Sequence, residues 1–522
     1  MDAVESLKQG LLEGRVKPER LVELIALQQQ QLQSTQQQLQ EALKQLEAAR
    51  KRIEELEKKV GGPPTTKLDQ PYSMRSEEQR QGSQAKKKRK RKGGGGRLKA
   101  KNKIAQAERS EPVYPEGSAP TECYLSHTRP VWRLEKGRAT LVAYEIYRNS
   151  KGQYGRISGV LGRSEFGLEI VAEIAHMVYI VGLSFDKVCE VLHFFQELKM
   201  RKSQVDALLH RLSRHWERQF EVLCTLLANS LVVHTDETSW SINSVWAFLS
   251  EKSRLVLFGV NKDAETLKKI LDPATFGGIV VSDDYAVYDN FSVSQKCWAH
   301  LLRKAIKLAL QDQENAEYRS FADRLLEIYR KACRVQRDGR LSDMGRTQKV
   351  SDLELEMFAL CGPTWDKDLP KTEGTADDYR RLINELMEMA LNEQLFTFVT
   401  AKAVVQPNGV EKPVSGTNNE AERTLRSPAQ ARDTGRTNKT SKGARRQTIL
   451  TSVLESLRLY LPKFTLTMVV EELKRWAQAG QSCFEKLLRK LKLKLKPPES
   501  ERSKIDQLFP PPASEPLPVP SG

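Results

Sequence analysis

The chain has no run of about 18 apolar residues, the length a helix needs to cross a bilayer. Its opening stretch, MDAVESLKQGLLEGR, holds no apolar signal core. Both absences point to a cytoplasmic protein. There is no C-x-x-C pair: Cys123, Cys189, Cys224, Cys297, Cys333, Cys361 and Cys483 are scattered and odd in number. That excludes a disulfide framework and a cysteine-rich zinc site and leaves reduced thiols. An excess of acidic residues is missing too. Lysine and arginine number 84 against 67 aspartate and glutamate, a net charge of +17. The expected partner is a polyanion, with DNA, RNA and an anionic membrane surface not separated by charge alone.

What is present comes in blocks. At 522 residues the chain exceeds one ordinary core, so two or more folded units with tails are expected. In the first segment, 1–60, Ile25, Leu32, Leu39, Leu46, Ile53 and Val60 recur at heptad spacing. This predicts a coiled coil and a homo-oligomer, against the plainer reading of one solvated amphipathic helix. Residues 61–122 contain GGPPTT, KKKRKRK and GGGG, a basic linker expected to be disordered because it is too polar to form a core, its charge run reading as a nucleic-acid contact, a nuclear address or a plain soluble tether. Alternation over 123–163 predicts a small β unit. The following stretch to 228 is helical, with Gly182 as a turn and Ser184 and Ser203 as helix caps, which resembles helix–turn–helix spacing. Lys199, Arg201, Lys202, Arg211 and Arg214 make that region a DNA-binding candidate; the alternative is a packing layer with solvated basic residues.

From 229 the pattern changes. LVVHTDETSW, VWAFLSEK and RLVLFGVN read as three antiparallel strands. DAETLKKIL is a helix opening at Asp263, FGGIVVSDDY a fourth strand, and KCWAH (296–300) a short fifth. This order predicts an α/β fold with a mixed, ribonuclease-H-like sheet. Residues 301–400 are helical and read as an insertion into a catalytic unit spanning 229–460. Basic helices follow over 461–496, and a Pro-rich tail expected to be disordered over 497–522.

Three acids stand out in this frame. Asp236 lies in the first strand, Asp283 at the end of the fourth, and Glu422 at the start of a helix in GTNNEAERTLR. Carboxylates so placed suit a pair of divalent cations that clamp the attacking and leaving oxygens of a phosphodiester. Successive strand residues face opposite sides, so Asp236 and Glu237 cannot share one site, nor can Asp283 and Asp284. Around them, Arg303 and Lys304 are phosphate-contact candidates. Arg426, on the same helix face as Glu422, is either its ion-pair partner or a phosphate contact, with Arg423 beside it. Arg436 and Lys442 lie in the basic loop GRTNKTSKGARR. Cys297 and His300 form half a metal site, read as a packed pair. Trp240, Trp246 and Trp298 are expected in the core.

The blocks HTDET, DDYAVYD, CWAHLLRK and NNEAERTLR, in this order, resemble the catalytic blocks of transposases of the insertion sequence 66 family over roughly 170–460. The last block carries most of the likeness, through Asn418, Asn419, Ala421, Glu422, Arg423, Leu425 and Arg426. The resemblance implies a DDE transposase with a ribonuclease-H-like core. It implies Asp236, Asp283 and Glu422 as ligands of two Mg²⁺ ions, with Mn²⁺ able to substitute. The partners it implies are terminal inverted repeats, target DNA and accessory proteins of the same element, in a bacterial, nucleoid-associated setting. Asp284 stands where the family usually has glycine, so Asp283 and Asp284 both remain candidates for the second ligand. The competing readings are a transposase-derived DNA-binding protein without activity and a ribonuclease-H-like nuclease.

Overall fold

The computed structural model describes residues 100–365, 374–495 and 502–510, with Gln33 and Gln40 as isolated helical positions. The heptad segment and the KKKRKRK run otherwise lie outside the described residues. All elements named below belong to one unit spanning 90–522.

The first layer is small. After α1 (Ala100–Ile104), β1 (Arg109–Val113) pairs in parallel with β3 (Arg138–Asn149), and β2 (Cys123–Glu135) pairs antiparallel on its other side. The β unit expected at 123–163 therefore begins earlier. Part of the stretch assigned to the linker is its edge strand, and Val113 packs against Val131, Val142 and Ile146.

Three helices follow: α2 (Leu168–Tyr179), α3 (Phe185–Gln196) and α4 (Lys202–Ala228). Gly182 takes φ +81°, the left-handed turn expected there. Ser184 caps α3 by accepting from the Lys187 N–H at 3.3 Å. Ser203 does not cap α4. The helix starts two residues earlier, with Arg201 at the cap position, and the Gln204 side chain accepts from the Arg201 N–H at 3.0 Å. An N3 glutamine thus satisfies an end that no Ser, Thr or Asp side chain reaches.

The central sheet runs β6–β5–β4–β7–β8. β4 (Val232–Ser239), β5 (Ser244–Ser250) and β6 (Arg254–Val260) form an antiparallel meander. α5 (Ala264–Ile270), capped by Asp263, leads to β7 (Ile279–Ser282) and then β8 (Ser294–Lys296), both parallel to β4 and to each other. The fifth strand is SQK, not KCWAH. Cys297 caps α6 (Trp298–Gln311), so Trp298 and His300 lie in a first helical turn. Alternation divides the sheet between two cores. Val233 and Val280 pack with α4 and the helices around it, while Val232 and Val281 pack with Trp298 and the helices that follow.

Those helices are α6, α7 (Ala316–Arg337), α8 (Asp343–Cys361), α9 (Thr375–Leu391) and the short α10 (Thr397–Thr400). They share one apolar cluster including Leu325, Met357, Ile383 and Leu386. A two-residue-per-strand hairpin, β9 (Val404–Val405) with β10 (Glu411–Lys412), returns the chain to the sheet. There α11 (Asn419–Asp433) and α12 (Ser441–Leu457) follow. α12 lies along the open edge of β6. Its Thr448, Ser452 and Ser456 hydroxyls, spaced four apart, accept from the N–H groups of Phe258, Val256 and Arg254 at 3.0, 3.0 and 2.9 Å. An edge that would leave a row of unpaired donors is thereby closed within the chain.

α13 (Leu466–Ala479), α14 (Cys483–Lys490) and α15 (Lys504–Leu508) complete the unit. The last corrects the expectation of disorder from 497 onward. Ile505 and Phe509 are buried in the main core, and the Glu221 carboxylate accepts the N–H groups of Lys504 and Ile505 at 2.9 and 3.0 Å.

Candidate active site

β4 and β7 set the first two carboxylates side by side. Their register pairs Val232 with Ile279 and His234 with Val281; carried two residues further, it brings Asp236 opposite Asp283. The side chains of the neighbouring acids turn elsewhere, as alternation requires. Glu237 is held on the other face by the Tyr288 hydroxyl and by Lys262 at 2.9 Å. Asp284 is bound by Lys304, which also reaches Glu385 at 2.7 Å. Burial alone would raise the Asp284 pKa, but the Lys304 hydrogen bond and charge outweigh it and hold the carboxyl below its ordinary value.

α11 brings the third acid. Its cap residue, Asn418, is fully buried and donates from Nδ2 to the Thr235 carbonyl at 2.6 Å, one residue before Asp236. The Asn418 N–H also donates to Cys297 Sγ at 3.1 Å. One asparagine therefore ties the start of α11 to β4 and to the start of α6. Glu422 sits in the next turn, its N–H bonded to the Asn418 carbonyl at 3.1 Å.

Asp236 feels this assembly. Its pKa is raised from 3.8 to about 7, first by burial, then by the charges of Glu237 and Asp283, with Glu422 adding to them; the Glu237 N–H, bonded at 2.9 Å, opposes the rise. A strand carboxylate held among like charges stores repulsion that a divalent cation would relieve. Three hard oxygen donors suit such an ion.

Glu422 itself is turned toward α6, with the Arg303 guanidinium at 2.7 Å and His300 Nε2 at 3.7 Å. Arg303 is thus an ion-pair partner here, and Lys304 is committed to two carboxylates. Of the two readings of Arg426, the ion pair with Glu422 does not form; Arg426 is exposed without an ion pair among the described residues, and Arg423 bonds the Asn419 carbonyl at 3.0 Å.

Among the described residues, the group of three metal-type donors whose atoms all lie within 4.8 Å of one another is Cys297, His300 and Glu422; Asp236, Asp283 and Glu422 do not approach one another that closely. The C-x-x-H pair therefore has a third neighbour that its spacing did not show. Burial pushes the Cys297 thiol up, and its sulfur already accepts from Asn418, so it serves as a structural thiol. Trp240, Trp246 and Trp298 are buried as expected, Trp298 donating to the Leu395 carbonyl at 2.7 Å.

The remaining basic candidates are spread out. Arg436 donates to the Gly182 carbonyl at 3.1 Å, tying the 435–440 loop to the α2–α3 turn. Lys442 is exposed at the start of α12. Lys199 and Arg201 are exposed, and Lys202 pairs with Asp186 at 2.8 Å. No helix among the described residues is long and apolar enough to cross a membrane.

The chain matches no curated protein. The family model described as Transposase IS66 family matches residues 163–446, from the loop before α2 to the start of α12 and across all three acids. That span is more than half of the chain, and the protein belongs to the IS66 transposase family.

Proposed function

We propose that this transposase is a DDE enzyme that cuts the ends of an insertion sequence and joins them to target DNA, using Asp236, Asp283 and Glu422. The observation that carries the reading is the convergence of β4, β7 and α11, with Asp236 pushed to about 7 by burial and by its acidic neighbours. A sheet in the order β6–β5–β4–β7–β8, with an antiparallel meander and two parallel strands, fits a ribonuclease-H-like core. In this reading α6–α10 are an insertion within it, and α2–α4 with β1–β3 form the DNA-binding region. Asp283 is preferred over Asp284, because Lys304 already neutralises the latter.

Two Mg²⁺ ions, or Mn²⁺ in their place, would be held by the three carboxylates and would supply Lewis acidity at the scissile phosphate. The chain's own groups do the positioning. Asn418 fixes Glu422 relative to β4. Arg303 holds Glu422 until the site is loaded, and is then released toward the phosphates. The heptad segment would join copies of the chain.

The test is nicking and joining of labelled DNA carrying the element's own ends, with neighbouring gene products of the element added as accessory proteins. Wild type is expected to cut and join with Mg²⁺; Asp236→Asn and Glu422→Gln are expected to bind the ends and lose cutting by about a hundred- to a thousandfold or more, the scale of removing a key electrostatic group. Equal cutting by the variants would sink the assignment. End binding without cutting by wild type, accessory proteins present, would favour an inactive DNA-binding derivative. Cleavage of an RNA–DNA hybrid in preference to DNA would favour a ribonuclease.

A further inference from the structure

The loop between β3 and α2 and the exposed face of α4 meet in a concavity lined by Gly162, Arg163, Arg211, Arg214 and His215. Arg211, Arg214 and His215 are three and four residues apart, on one helix face. Arg163 faces them from another element. No carboxylate pairs with any of these four side chains among the described residues; Arg214 bonds only His210, at 2.9 Å. Nearby arginines are treated differently. Arg218, one turn further along α4, is paired with Glu485 at 2.7 Å, Arg133 with Glu169 at 3.0 Å, and Arg446 with Asp206 at 2.5 Å. These three arginines are neutralised by carboxylates, whereas Arg129 beside the concavity reaches only the Gly162 and Ser164 carbonyls and the arginines inside it meet no carboxylate among the described residues.

The positive field extends on both sides. Burial lowers the pKa of Arg129, and the Arg163 charge lowers it further. His210 is lowered by burial and then by Lys442, Arg214 and Arg446. Converging like charges are unfavourable unless an anion completes them, and guanidinium forks match phosphate oxygens in charge and geometry.

We propose that this concavity binds a backbone phosphate of DNA, and that the bound strand continues past His210 toward Lys442 at the start of α12. The proposal rests on the DNA reading above but not on its chemistry. It places the main phosphate site of the helical region about three turns along α4, away from Lys199, Arg201 and Lys202. Phosphate binding of this kind positions a duplex without reading its sequence.

The test is a salt titration of a fluorescein-labelled DNA duplex binding to the full chain, followed by anisotropy. In the triple variant Arg163→Gln, Arg211→Gln, Arg214→Gln, affinity is expected to fall about tenfold or more on any duplex sequence. The slope of log K against log salt is expected to become shallower by about 0.9 for each phosphate that the variant no longer neutralises. The matching triple Lys variant should keep most of the slope. Because all three arginines are exposed, folding should survive; if the triple variant melts early, Arg211→Gln alone is read, with a slope change of about one. A folded Gln variant with wild-type affinity and slope overturns the proposal. So does an RNA duplex that binds more tightly than DNA through the same arginines. Asp236→Asn separates the two readings: it should keep the full slope, and a pocket effect seen where wild type fails to cut leaves this site standing while the catalytic reading falls.

Discussion

Asp236 carries the sharpest consequence among single residues. Its folded pKa of about 7 lies above the ordinary 3.8. Between those values the folded chain holds a proton that the unfolded chain has released. The stability this contributes is complete below about pH 4 and is lost as pH rises through about 7. Without divalent ions, the melting temperature of Asp236→Asn should therefore gain on wild type between about pH 5 and pH 8. A rise of that size sets a ceiling of about 4 kcal/mol, and partial solvation reduces it to about half. Thermal melts in EDTA at the two pH values check this, and a gap that stays constant would contradict it. Divalent ion should then stabilise wild type above pH 7 by about 2–3 kcal/mol at a hundredfold excess over its dissociation constant, and the variant much less. Alternation along β4 and β7 was enough to set Asp236 apart from Glu237 in the sequence. The pairing of Arg303 with Glu422, and of Lys304 with Asp284, was not legible there, because it depends on where α6 meets α11 and the end of β7 once the chain has folded.

Elements depend on a few buried polar atoms that sequence patterns do not mark. Asn418 has no exposed surface and bonds across to Thr235 and Cys297. Asn418→Ala would leave the Thr235 carbonyl unsatisfied and loosen α11, at a cost of about 1–3 kcal/mol. Cutting should drop with it while DNA affinity stays near wild type; urea melts and binding titrations read the two separately. Ser452→Ala makes a control far from chemistry. It strips the partner from the Val256 N–H and should cost about 1–3 kcal/mol in the same melts, with cutting per folded molecule unchanged. The strands themselves were readable as apolar runs, since β5 is buried on both faces, β4 opens on two buried valines and β7 carries Val280 and Val281 buried behind Ile279. KCWAH misled because a buried Cys-Trp pair reads as strand, whereas Cys297 caps a helix and Trp298 anchors it to Leu395. The Thr448-Ser452-Ser456 ladder has helical spacing, but nothing local says that it meets a sheet edge.

Across the whole molecule, two cores share one sheet, and the three acids come from β4, β7 and α11, with the helices α6–α10 lying between the last two in sequence. The order of the four blocks was legible because each is local. The basic concavity was not, because its arginines come from a loop and from α4, about fifty residues apart, and only the absence of carboxylates distinguishes them from solvated charge. The heptad segment predicts that a chain lacking residues 1–60 sediments as a smaller species than the full chain, while retaining the melting behaviour of the unit beyond it; identical sedimentation would rule out the coiled coil as the oligomerising element.

Calorimetric Mn²⁺ binding at about pH 8, where Asp236 is ionised, decides whether the three carboxylates form a metal site. Wild type should bind the ion, and Asp236→Asn, Asp283→Asn and Glu422→Gln should each weaken it at least about tenfold, as loss of a charged ligand requires; Asp284→Asn should not. Binding left intact in all three variants, or lost with Asp284→Asn instead of Asp283→Asn, would overturn the assignment.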